Sequence, residues 1–521
     1  MQGKKDYQEQ LFTSFQLSNH IPKDNFYRRL SEHLDLHFVR QLNKEHYGSC
    51  GQKSLDPVVF YKLSIVGYLE NIISDRKLID HCSMRMDILF FLGYDIDEPL
   101  AWHSTISRTR QLFPDYLFEK VFTEVLSMCV EKGMVSGHTQ VIDSAPVKAN
   151  ASMDSLELKV PEDELDDHIK KIRRSNSEDE PRRKSKEDKS DEDQRRLKAS
   201  DSDLNAIKNR NRNWQDKGGD RPGHNLKQAK YTSNKTHYSP TDPDARISVR
   251  PGKSRKLNYL SQMSVDTANH VITDIGADYA DQKDSQHLQK ITLRLQERLH
   301  KQGLLMHNVL ADAGYSSGEN YAFFENQGLT SYIPPHGKYK GGPSGFSYHV
   351  EGNYWECSQG KRAEHRKKFE DKGIKKNQYA TKRADCRDCP IKTACIGKSH
   401  EKRIDITYYK PEYDRAIARL KSKQGRRFKY LRSSTVEPVF GSLTQFYGMR
   451  KVNTIGINQA NKAMLMAGAA YNLKKYLKFI EKKVISKVET VKTSTFLLID
   501  QILSLKMGLE PIKLQKEIYL S

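Results

Sequence analysis

Cysteine, tryptophan and long apolar runs are all scarce in this chain of 521 residues, which has 7 Cys, 3 Trp and 36% hydrophobic residues. So low an apolar content leaves part of the chain with too little to bury, and an unfolded segment is expected somewhere in it. No stretch approaches the roughly 18 apolar residues of a membrane-crossing helix, and no basic amphipathic stripe carries an aromatic face, so a membrane partner is not expected. The opening MQGKKDYQEQ lacks the apolar core of a secretory leader. A reducing cytoplasm is the expected location, and the isolated Cys50, Cys82 and Cys129 read as small buried side chains.

Acidic charge is also in deficit. Against 66 Asp and Glu stand 87 Lys and Arg, a formal net charge of +21. Clustered cations of this excess gain binding free energy by releasing counterions from a phosphate backbone, so the expected partner is nucleic acid.

Three of the carboxylates occupy unlike and informative contexts. Asp143 ends the apolar run of VIDSAPVKANAS, Asp312 ends that of NVLADAGYSS, and Glu437 lies in RSSTVEPVFGSL. Any one of 66 acidic residues is by count a solvated surface charge. A carboxylate directly after three or four β-prone apolar residues, however, stands at the mouth of a sheet, where active sites of open α/β sheets gather. Two strand-end aspartates and a helical glutamate suit a pair of hard divalent cations, and Mg²⁺ held by few carboxylates suits a substrate that brings phosphate oxygens. Phosphodiester chemistry on DNA or RNA is the implied reaction.

Around these residues the chain divides by composition. Residues 1–137 read as helical: Asp56 is an N-cap with Pro57 at the first helical position of DPVVFYKLSIVGYL. A short helix opening at His103 or Ser104 carries Arg108 and Arg110, either as groove or phosphate contacts or as exposed arginines on an ordinary helical core. From 153 to 223 the composition turns to Lys, Arg, Asp, Glu, Ser and Asn, an insertion expected to be disordered. Strand-like sequence resumes at Leu257–Asp281 with a hairpin near Ala268, Asn269 and His270, followed by a helix from about Ser285 to Gln302. The catalytic core is thus expected to comprise 138–152, 224–340 and 406–483, forming a mixed α/β sheet. In the last part Pro438 is expected within the first turn of its helix, with Ser433 to Thr435 as caps and Glu437 at the helix start. A further helix, about 458–483, packs Met464, Leu465, Ala469 and Leu473 on the sheet, and a helical tail occupies 484–521.

Residues 341–405 hold the remaining thiols, Cys357, Cys386, Cys389 and Cys395. Their spacing suits a tetrahedral structural Zn²⁺, with reduced thiols and a disulfide as the alternatives and His365 and His400 as spare ligands. Tyr354 and Trp355 read as the small core of this insertion.

These motifs, with YSPTDPDARIS at Tyr238–Ser248, CRDCPIKTAC and YLRSSTVEPVFGSLTQFYGMRK, resemble those of bacterial insertion-sequence transposases of the DDE class. The resemblance implies an RNase H-like mixed sheet flanked by helices, preceded by an N-terminal all-α DNA-binding domain. It places the catalytic triad on Asp143, Asp312 and Glu437 with two Mg²⁺ or Mn²⁺ ions, cutting element ends and joining them to target DNA, on double-stranded DNA and as a homodimer. It also places Arg432 and Tyr430 beside the DNA, with Arg450 and Lys451 as further contacts. Tyr430 and Arg432 stand closer to Glu437 than in many relatives, and Thr444 holds a position where those relatives carry lysine. His237 and Asp242 are candidates for lining the site, though Pro240 to Pro243 also reads as a plain turn. The rival readings are a nuclease that cuts without joining and a DNA-binding zinc protein or repressor without catalysis.

Overall fold

The computed structural model describes residues 15–48, 54–159, 199–206, 232–248, 254–337, 339, 341–371 and 373–481. Most of the charged insertion, the tail and Cys50 lie outside the described residues, and so does the test of their expected disorder or helicity.

Eight helices open the described chain: α1 (Leu17–His20), α2 (Phe26–His33), α3 (Phe38–Leu42), α4 (Pro57–Leu69), α5 (Asp75–Ser83), α6 (Met86–Leu92), α7 (His103–Leu112) and α8 (Asp115–Glu131). Helix α4 begins as its sequence dictates. Asp56 accepts the Val58 N–H at 2.8 Å and Pro57 follows at the first position, a cap worth about 1 kcal/mol. Its buried residues run all round the helix, which makes α4 the axle of this region, with Phe60 and Tyr61 edge-on to Phe118 of α8.

The main sheet is formed by β1 (Thr139–Lys148), β4 (Arg246–Ser248), β5 (Lys256–Asp266), β6 (Ile272–Tyr279), β7 (Asn308–Leu310) and β8 (Thr330–Tyr332), while β2 (Glu157–Leu158) and β3 (His237–Tyr238) pair with each other. Strand β1 is central. It pairs antiparallel with β5 and parallel with β7, which pairs parallel with β8; β6 and β4 pair with the other edge of β5. Helix α9 (Asp284–Lys301) crosses from β6 to β7, and α10 (Gly318–Asn326) from β7 to β8. The sheet is mixed α/β and flanked by helices, as the sequence predicted.

After β8 the chain builds a separate antiparallel sheet, β9 (Phe346–His349), β10 (Tyr354–Cys357), β11 (Arg362–Asp371), β12 (Ile374–Thr381) and β13 (Arg403–Thr407), with two helical turns, α11 (Arg383–Arg387) and α12 (Lys392–Ile396), before β13. Its core is small: Trp355, Ala363, Tyr379 and Ile404. Trp355 is therefore a core residue, as expected.

Helices α13 (Lys410–Lys421) and α14 (Lys423–Phe446) return the chain to the main sheet, and α15 (457–481) completes it with Met464, Leu465, Ala469 and Leu473 buried. One correction is needed in α14. The helix starts at Lys423, capped by the Ser422 hydroxyl on the Gly425 N–H at 3.0 Å, and Pro438 lies in its interior rather than its first turn. An internal proline removes one ladder bond and costs about 3 kcal/mol in an isolated helix. Burial of Thr435, Val436, Val439 and Leu443 on both sides of it holds the helix together here. One hydrophobic core runs from Tyr27 and Phe60 through Phe122 to Ile142, Met263, Ile275 and Met464, so the N-terminal helices and the sheet share it.

Candidate active site

Strand β1 carries Val141 and Ile142 fully buried and then opens at Asp143. Beside it, the parallel register ends on the pair Val141 and Leu310, and Asp143 and Asp312 each stand two residues beyond that last pair. Asp143 therefore stands in the middle of β1 and Asp312 just past the end of β7, on neighbouring strands about 4.8 Å apart, near enough for the Asp312 charge to act on Asp143. Asp312 also starts the turn Ala313–Tyr315, its Oδ1 accepting the Gly314 N–H at 2.8 Å.

Helix α14 supplies the third carboxylate. Val436 and Val439 face the core, which leaves the intervening Glu437 exposed at the helix surface. Arg432, on the same helix, joins it to the strand: its Nη1 donates to Asp143 Oδ2 at 3.1 Å, and its Nη2 stands 3.8 Å from Glu437 Oε1. Asp143, Asp312 and Glu437 are thus gathered in one region, with a guanidinium between two of them.

Burial, together with the like charges of Asp312 and Asp284, pushes the Asp143 carboxyl up to about 6; the Ser144 N–H and Arg432 only partly offset this. Buried Tyr315 is raised well above its ordinary value by desolvation and then by Asp284 and Asp143. The charge on Asp143 is therefore expensive without a compensating cation.

Among the described residues, no group of three or more His, Cys, Asp or Glu side chains is drawn together closely enough to cage a metal ion. For Mg²⁺ this is compatible with the donors present, since it takes one or two carboxylates and fills its remaining positions with water and substrate phosphate. For zinc it is not, because a structural site needs four protein ligands in place. Cys357, Cys386, Cys389 and Cys395 are half-buried free thiols, and Cys386 Sγ lies 3.1 Å from Thr381 Oγ1. The expected zinc set is not formed; strand pairing and the Trp355 cluster organise this sheet instead. His365 lies 3.3 Å from Asn377 Oδ1 and His400 is exposed.

The other sequence candidates separate by environment. Tyr430 is 78% exposed on α14, among exposed Lys423, Arg426, Arg427 and Lys429, which the sequence reading did not single out. Arg450 is exposed, and its carbonyl accepts the Lys148 N–H while Lys451 bridges to Lys148, so this loop runs beside the end of β1. Arg108 is exposed on α7, whereas Arg110 is held two-pronged by Asp75 at 2.6 and 3.0 Å. Asp242 is fully buried and accepts the Tyr259 hydroxyl at 2.6 Å and the Gly456 N–H at 3.2 Å, a structural knot away from the three acids; His237 sits in β3. On the second sheet Arg366, Lys367, Lys382, Arg383 and Arg403 line a groove with a single acid, Glu401.

Compared with known protein families, residues 15–112 match the family described as transposase domain (DUF772), and residues 356–477 match the transposase DDE domain. The second match contains Arg432 and Glu437; Asp143 and Asp312 precede it and enter the site through the sheet register. No curated protein matches the chain.

Proposed function

By its two transposase domains the chain belongs with the insertion-sequence transposases of the DDE class, and on that premise we propose that it binds the ends of its own element and catalyses strand cleavage and strand transfer. The observation carrying this reading is the nearness of Asp143 and Asp312 just beyond the β1–β7 ladder, with Glu437 brought in through Arg432. Asp143, Asp312 and Glu437 would hold two Mg²⁺ or Mn²⁺ ions, which acidify a nucleophile and neutralise the leaving oxygen of an in-line displacement.

The chain's own residues supply the rest. Asp143 binds while deprotonated, and Arg432 holds positive charge between the acids until phosphate arrives, for which its planar fork is suited. Exposed Lys423, Arg426, Arg427, Lys429 and Tyr430 lead along α14 toward Arg432 and form a track for a duplex backbone, extended by Arg450, Lys451 and Arg108. Arg110 is left out of this set because Asp75 holds it. Two element ends must be cut in concert, which favours a dimer on DNA, and a DNA substrate places the protein in the cytoplasm with the nucleoid.

The test uses the purified full chain and DNA carrying the element ends, with Mg²⁺ or Mn²⁺. Wild type nicks the ends and joins them to a target plasmid; Asp143→Asn, Asp312→Asn and Glu437→Gln bind the ends but yield neither product. Cutting by all three variants at the wild-type rate would overturn the proposal, and nicking without joining would leave a nuclease.

A further inference from the structure

Strand β1, the turn after β7 and the start of α9 meet at a carboxylate outside the expected triad, Asp284. It is the first residue of α9 and half-buried. An aspartate there ordinarily serves the helix end, yet the Lys283 N–H goes to Gln286 Oε1, and Asp284 takes no side-chain cap bond. Its Oδ1 instead accepts the Ser144 hydroxyl at 2.7 Å, while the Ser144 N–H donates to Asp143 Oδ1 at 2.7 Å. One serine thus ties Asp284 to Asp143.

On the other side stands Asp312. A Cβ built on Gly314 would lie 3.0 Å from Asp312 Oδ1 and 3.2 Å from Asp284 Oδ2, so the two carboxylates flank a bare Cα. Below them Tyr315, fully buried, donates its hydroxyl to Gln262 Oε1 at 2.7 Å. Gln262 is the cross-strand partner of Ser144, and its fully buried Nε2 has no hydrogen-bond partner. Elsewhere half-buried or buried acids hold arginines: Asp75 with Arg110, Asp87 with Arg85, Asp274 with Arg294 and Arg298. Among the described residues no Lys or Arg forms an ion pair with Asp284 or Asp312. Half-buried carboxylates set close together without a basic partner call for a cation from outside.

We propose that Asp284 is a fourth oxygen donor of the active site, positioned by Ser144 to hold a hard divalent cation together with Asp143 and Asp312, directly or through one of its waters. The inference rests on the catalytic reading above and adds a ligand to it.

The experiment is a Mn²⁺ titration of the full chain without DNA, by calorimetry or by the resonance of free Mn²⁺, for wild type, Asp284→Asn, Asp143→Asn and Glu297→Gln, an exposed acid on the same helix. Asp284→Asn is expected to weaken Mn²⁺ binding about tenfold or to lose one ion, with Asp284→Glu recovering part of it, while Glu297→Gln titrates as wild type. Melting without metal reports folding. If Asp284→Asn does not fold, Gly314→Ala carries the test by placing a methyl between the two carboxylates, at a backbone without positive φ. Wild-type Mn²⁺ binding in Asp284→Asn, or in Gly314→Ala where that variant stands in, overturns the inference alone if Asp143→Asn is weakened. If Asp143→Asn also binds as wild type, the reading of the acidic site falls with it.

Discussion

Arg432 Nη1 reaches Asp143 Oδ2 at 3.1 Å, although 289 residues separate the two in the chain. The contact docks α14 onto the middle of β1 and sets a guanidinium where two carboxylates would otherwise repel. The same side chain faces Glu437 at 3.8 Å, so one internal counter-charge is shared by Asp143 and Glu437, and the site remains open to a stronger cation.

Replacing Arg432 therefore separates two effects. Arg432→Ala removes the internal counter-charge, so Mn²⁺ binding without DNA tightens a few-fold. Nicking falls by roughly a hundredfold, because the charge on the scissile phosphate loses its donor. Arg432→Lys, with charge but no fork, lies between the two in single-turnover nicking. Weaker Mn²⁺ binding in Arg432→Ala would show that the guanidinium supports the metal rather than standing in for it.

Asp143 makes a prediction in pH. Its folded value of about 6 lies above the ordinary 3.8 of an aspartate, so the ionised form is disfavoured by folding. Stability from this group is fully present below 3.8 and is lost as pH rises through about 6, a penalty on the order of 3 kcal/mol at neutral pH. Without metal, Asp143→Asn should therefore melt higher than wild type at pH 7.5, and the gap should narrow at pH 5. Metal-dependent nicking by wild type should fall as pH drops below 6, by about tenfold for each unit of ionisation lost. An Asp143→Asn melt equal to or below wild type at pH 7.5 would contradict the assignment.

The second sheet offers a test of independence. Trp355→Ala removes the largest of four buried residues in its core and should cost on the order of 3–5 kcal/mol there. Hydrogen exchange should then rise across 346–407 while β1 and β5 keep their protection, since those strands draw on the larger core. Equal loss of protection in both sheets would show that they open together.

Much of this was legible in the chain. The Asp-Pro start of α4, the strand end just before Asp312, the β5–β6 hairpin and the helix after it follow from local chemistry: caps, apolar runs and turn residues within a few positions. The strand expected to end at Asp143 instead runs on to Lys148, held by its pairing with β5. Arg432 was singled out through the resemblance of the segment around Glu437 to that of DDE transposases. Asp284 was missed because DQKDSQHLQK reads as an unremarkable acidic helix start, and only the placement of Ser144 and Gly314 gives it company. The Pro438 expectation failed because proline's local preference was outweighed by packing on both sides. The zinc expectation is not shown among the described residues, because cysteine spacing says which thiols are near in the chain, not whether the sheet brings them into a tetrahedron.

By itself the sequence determined charge, the chemical kind of partner and the alternation of helical and strand-forming segments, because these depend on side-chain chemistry and periodicity within a turn or two. Only the tertiary structure decided which acids meet. The parallel pairing of β1 and β7 brings Asp143 near Asp312, the docking of α14 sets Arg432 between Asp143 and Glu437, and the start of α9 sets Asp284 on Ser144. Each of these is a long-range packing outcome, set by how buried faces fit rather than by any residue's neighbours.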